Sequence, residues 1–107
     1  MNRNHLGAAS ELIAAAYLLQ QGYEVFRNVS PTGPADLVIW SRETGEMTKV
    51  DVKVPVRYVK QDGTIVHHFD RKALREDVKV LLVSEGEVVG FFHGGEPCEP
   101  FVKSNIA

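Results

Sequence analysis

The chain has 107 residues, 44% hydrophobic and 24% charged, a balance that suits one compact domain over residues 1–107 and excludes a disordered or fibrous chain. Its longest apolar stretch, Leu12 to Leu19, is far short of the ~20 residues that cross a bilayer, and Met1-Asn2-Arg3-Asn4 has no signal-peptide chemistry, so a cytosolic, cytoplasmic protein is expected. The net charge of -2 is unevenly spread: residues 49–75 hold seven basic and three acidic side chains, and both flanking segments are acidic. A basic middle of this kind can face phosphate or be an ordinary solvated surface. The single cysteine, Cys98, excludes an internal disulfide and has no metal-ligand partners at useful spacing.

Asn4 to Gln21 reads as an Ala-rich helix with Gly22 as its stop. At ~100° per residue, Ser10, Tyr17 and Gln21 gather on one narrow side, which is expected to face solvent. Glu11 instead falls among Gly7, Ala14, Ala15 and Leu18, on a core-facing side where an unpaired charge is costly. A strand is expected over residues 23–27, then a turn-rich loop over 28–34. Two strands, 36–40 and 48–54, form a hairpin around Thr44-Gly45-Glu46. Residues 56–60 and 64–69 flank Asp62-Gly63, so the third strand is expected to run past Pro55 into further antiparallel pairing. Asp70 caps a short helix over residues 71–77. Val78 to Ser84 and Val88 to His93 are strands joined through Glu85-Gly86-Glu87, and residues 94–107 are a tail. The order α-β-β-β-(β)-α-β-β gives an α/β fold, an α+β sandwich with a mixed central sheet.

Side chains alternate along a strand, so Asp51 and Lys53 share one face while Val50, Val52 and Val54 take the other. Asp36 opens the preceding strand of the same hairpin and comes close to Asp51 if the register is suitable. Paired carboxylates suit a hard divalent cation such as Mg2+, with Mn2+ as a substitute. In phosphodiester hydrolysis such a cation lowers the pKa of a bound water, and Lys53 orients that water or stabilises developing negative charge.

The run Gly33-Pro34-Ala35-Asp36-Leu37-Val38-Ile39 followed by Val50-Asp51-Val52-Lys53 resembles the signature of the PD-(D/E)XK nucleases. Pro-Ala-Asp stands where the signature has Pro-Asp, and Asp-Val-Lys is an allowed form of its second half. Gly7 through Glu11 to Leu18, then Gly22-Tyr23-Glu24-Val25, looks like the opening helix and strand of archaeal Holliday junction resolvases and related homing endonucleases. The resemblance covers residues 5–54 well and 55–92 in outline. It implies a restriction-endonuclease-like core and, because a helix glutamate joins the metal site in such enzymes, a metal-binding role for Glu11 beside Asp36 and Asp51. With Lys53 these make the expected catalytic set.

The implied function is a divalent-metal-dependent endonuclease acting on duplex or branched DNA, as a homodimer or higher homo-oligomer because cutting two strands calls for two sites. A nuclease-fold module that binds nucleic acid or assembles without catalysis is the alternative, and an RNA-directed nuclease is a third. Candidate nucleic-acid contacts are Arg27, Ser30 and Thr32 around the loop before Asp36, and Arg57, Lys60, Arg71 and Lys72 in the basic middle. His67 and His68 are adjacent on a strand and face opposite sides, a poor geometry for joint metal binding. Trp40 and Phe91-Phe92 read as core or interface groups.

Overall fold

Helix α1 (Arg3–Gln20) ends where its sequence says it should, with Gly22 in the left-handed region at φ 96°. The Tyr23 N–H donates to the Leu18 carbonyl at 3.2 Å and the Gly22 N–H to that of Leu19 at 3.0 Å, the paired bonds that close a helix on a glycine. The computed structural model describes residues 3–30, 33, 35–69 and 75–92. Strands β1 (Glu24–Arg27), β2 (Leu37–Trp40), β3 (Met47–Lys53), β4 (Val56–Val59), β5 (Ile65–His68), β6 (Val78–Ser84) and β7 (Glu87–Phe91) follow the helix.

Five strands form a mixed sheet in the order β1-β2-β3-β6-β7. The β3–β6 pair is parallel and the other pairs are antiparallel. The α/β architecture with a mixed central sheet expected from the sequence is therefore observed. Helix α1 packs on one face, where Ala14 and Leu18 meet Leu37, Ile39, Val50, Leu81, Val83 and Phe91. Burial of each large apolar side chain there contributes about 1.5–3 kcal/mol. On the opposite face, Phe69, Val80 and Leu82 make a second cluster with Phe92, whose ring meets Phe69 edge-on at 4.9 Å. Strand β6 is thus buried on both faces, which explains its near-continuous apolar run.

The helix lies on the sheet with a different side from the one expected. Ser10 and Gln21 are buried, whereas Leu12 and Leu19 are 54% and 56% exposed. Ser10, Ala14 and Leu18 recur every four residues and form the stripe that meets the sheet, and the small first two members permit close approach. Polarity alone misassigns Ser10, because a hydroxyl can be buried when it is hydrogen-bonded. Among the described residues no buried side-chain polar atom lacks a partner.

The third strand does not continue past Pro55. It stops at Lys53, and β4 and β5 pair with each other as a separate two-stranded hairpin. Proline lacks the N–H a ladder needs and restricts the residue before it, so the chain turns there. The helix expected over residues 71–77 falls partly on 70–74, outside the described residues, and its remainder is a turn in which the Val78 N–H donates to the Arg75 carbonyl at 3.3 Å. The β6–β7 connection is a two-residue turn with φ positive at both Glu85 (53°) and Gly86 (79°), the hand that matches strand twist. The tail over residues 94–107, with Cys98, lies outside the described residues. No helix among the described residues is long and apolar enough to cross a membrane.

Candidate active site

The β2–β3 register sets the site. Leu37 faces Val50 on the helix side, so one step before β2 Asp36 stands across from Asp51 on the opposite face, where Asp51 neighbours Val80 of the second cluster. Three backbone-directed bonds hold Asp36 in place. Its N–H donates to the Val50 carbonyl at 3.0 Å, its carbonyl accepts from the Asn28 N–H at 2.9 Å, and its Oδ2 accepts from the Val52 N–H at 2.7 Å. The Asp51 carboxyl lies close enough to raise the pKa of Asp36. Two residues further along β3, Lys53 Nζ lies 3.3 Å from Asp51 Oδ2.

Electrostatics follow from this crowding. Burial is the largest influence on Asp36, and hydrogen bonding to Asp51 and the charges of Asp51 and Glu11 act in the same direction, pushing its pKa up to about 7. The Val52 N–H, which favours the charged form, offsets only part of this rise. A carboxyl that gives up its proton only near neutral pH, pressed against a second carboxyl, is a site that gains from a divalent counter-charge. Asp36 and Asp51 are the oxygen donors suited to such an ion, and Lys53 supplies a cation only at Asp51.

Glu11 stands differently. Partly buried on α1, it is near enough for its charge to act on Asp36, yet among the described residues no three His, Cys, Asp or Glu side chains gather at metal-holding distance. The geometry brings Asp36, Asp51 and Lys53 together and places Glu11 as an electrostatic neighbour.

Asn28 is the residue that reading the sequence missed. Its Nδ2 donates to the Ala35 carbonyl at 2.7 Å and its Oδ1 accepts from the Ser30 N–H at 2.9 Å, so one amide ties the loop before Asp36 closed. Gly33 is explained by the same amide, since a Cβ there would collide with Asn28 Nδ2. The signal was an asparagine opening a turn-rich loop, a residue type that often bonds backbone two positions on.

The remaining candidates scatter. Arg27 and Ser30 are exposed at the end of β1 and in the following loop. Arg57 of β4 pairs with Glu85 at 3.8 Å, and Lys60 shapes the β4–β5 turn, its N–H donating to Thr64 and its carbonyl accepting from Gly63. Thr32, Arg71 and Lys72 lie outside the described residues. His67 is partly buried and His68 exposed on alternate faces of β5, so they do not form a joint metal site. Phe91 and Phe92 are packed in the two clusters, and Trp40 is 37% exposed at the end of β2.

No family model matches the sequence, and no curated protein matches it. Among solved structures, a bacterial homing endonuclease, I-Ssp6803I, matches with a TM-score of 0.62 and 20% sequence identity over 85% of this chain. The chain spans 65% of the length of that endonuclease chain. At this identity the likeness is one of fold, and the chain therefore has a nuclease-like α/β fold.

Proposed function

We propose that this chain is a divalent-metal-dependent DNA endonuclease of the PD-(D/E)XK type, with Asp36, Asp51 and Lys53 at its reaction centre. The observation that carries this reading is the Asp36–Asp51 carboxyl pair, with Lys53 beside it, on the sheet face away from the helix in a fold shared with a homing endonuclease. Asp36 and Asp51 would hold Mg2+ or Mn2+, with Glu11 contributing negative charge nearby. The ion would supply a water activated at neutral pH and neutralise phosphoryl oxygens.

The chain's own groups do the rest. The Val52 N–H fixes the Asp36 carboxylate, and the Asn28 amide fixes the loop that delivers it. Asp51 orients the Lys53 ammonium, which donates to the charge that develops on the phosphoryl group. One such preorganised donor is typically worth about 10²–10³ in rate. Arg27, Ser30, Arg57 and Lys60 would meet the DNA backbone, and a homodimer would provide one site per strand of duplex or branched DNA, including a Holliday junction.

The test is a substrate panel of supercoiled plasmid, linear duplex and four-way junction, each with Mg2+, Mn2+ or EDTA. Metal-dependent cutting of at least one substrate is expected. Binding without cutting of any of them would assign the chain to nucleic-acid binding or assembly instead.

A further inference from the structure

A groove of about 300 Å³ lies beside the carboxyl pair, lined by Phe26, Arg27, Asn28, Ala35, Val38 and Lys49. Register places it on the same face. Phe26 pairs with Val38 and Val38 with Lys49, one row along from Asp36 and Asp51, a step of roughly 7 Å on the strands. Two features of the lining point to an occupant. On this face it carries one cation, Lys49, and no acidic side chain, and its aromatic ring, Phe26, is 52% exposed where a strand residue could have been covered. Lys49 Nζ is held at the rim by Asp77 Oδ2 at 3.0 Å, an exposed pair in which a phosphate can take the carboxylate's place.

We infer that this groove is a nucleotide subsite: Phe26 stacks against a base, and Lys49 takes the adjoining phosphate. The subsite rests on the nuclease reading for its role in catalysis, because it would seat the nucleotide next to the one whose phosphate meets Asp36 and Asp51. Its chemistry is independent of that reading. A flat π-surface beside a cation recognises single-stranded nucleotides without regard to sequence. The bound strand must therefore be locally unpaired or splayed at this point. Asn28 adds an edge of the groove that its own loop bonds already fix.

Amide-resolved NMR titration of the full chain in EDTA tests this, with thymidine 5′-monophosphate and ribose 5-phosphate as separate probes and Phe26→Ala and Lys49→Gln as variants. Phe26 is half exposed, so its truncation leaves the core intact. The nucleotide is expected to shift the signals of Phe26, Val38 and Lys49, and to bind more tightly than the sugar phosphate by about five- to hundredfold. Phe26→Ala should reduce it to the level of the sugar phosphate, and Lys49→Gln should weaken both. Equal binding of the two probes, or no shifts in the groove, would overturn the proposal. So would groove signals that move only with protein concentration, since a second copy of the chain would then be the occupant. Groove shifts in a protein that cuts no DNA would keep the subsite and remove the nuclease reading, and plasmid cutting with a silent groove would do the reverse.

Discussion

Asp36 stands beside Asp51 across the β2–β3 pair, and the Val52 N–H holds the Asp36 carboxyl at 2.7 Å. The fold thus keeps two acids in contact where separating them would relieve repulsion. Such an arrangement costs stability.

The cost has a pH signature. Between the ordinary carboxyl value of 3.8 and its folded value of about 7, Asp36 keeps a proton in the native chain that it loses in the unfolded one. Stability of the metal-free protein therefore falls as pH rises across that window, the opposite of a salt-bridged aspartate. Solvent screening of this half-buried group limits the effect to about 1–2 kcal/mol. Urea midpoints in EDTA from pH 4.5 to 8 should decline in wild type and lose most of that slope in Asp36→Asn, which keeps an acceptor for the Val52 N–H. Equal slopes would remove the retained proton from the account.

A divalent cation should reverse that cost. Mn2+ or Mg2+ added at pH 8 is expected to raise the melting temperature of wild type, with about 2.7 kcal/mol of added stability at a hundredfold excess over Kd. Asp51→Asn and Asp36→Asn should show little of this rise. Glu11→Gln should reduce it less, because Glu11 acts on the pair through its charge. A full loss in Glu11→Gln would make it a direct ligand.

Lys53 is expected to matter for rate and not for the ion. Lys53→Met should lower plasmid cleavage by about 10²–10³-fold while leaving the cation-induced melting shift in place. Loss of both together would show that Lys53 serves mainly to organise Asp51, its 3.3 Å partner.

The Asn28 clamp predicts a coupled pair. Asn28→Ala removes the bond to the Ala35 carbonyl and should cost about 1 kcal/mol. Gly33→Ala should be destabilising alone, because its Cβ meets the Asn28 amide, and much less so in the Asn28→Ala background. Additive losses by urea denaturation would contradict the contact.

Much of this site was legible in the sequence because strand alternation is a local rule. Asp51 and Lys53 had to share a face, and the short 41–46 connection made β2 and β3 neighbours, so Asp36 had one plausible partner. The helix was harder. Its wheel gave Glu11 a core-facing place, but it put Ser10 and Gln21 in water, since nothing in periodicity separates a small buried polar residue from an exposed one. The hairpin of β4 and β5 was foreseen from Asp62-Gly63, whereas its detachment from β3 depends on what Pro55 does to the ladder. The Asn28 clamp and the Phe26 groove are long-range products of β1–β2 pairing, and no run of neighbouring residues announces them.

The central claim is that the Asp36–Asp51 pair is the metal-dependent hydrolytic centre, and the most direct measurement is the cleavage rate of supercoiled plasmid against Mn2+ concentration for wild type and Asp51→Asn. The account predicts saturable, EDTA-sensitive cutting by wild type and none above background by Asp51→Asn. Cutting that persists in EDTA, or that Asp51→Asn sustains at the wild-type rate, would contradict it.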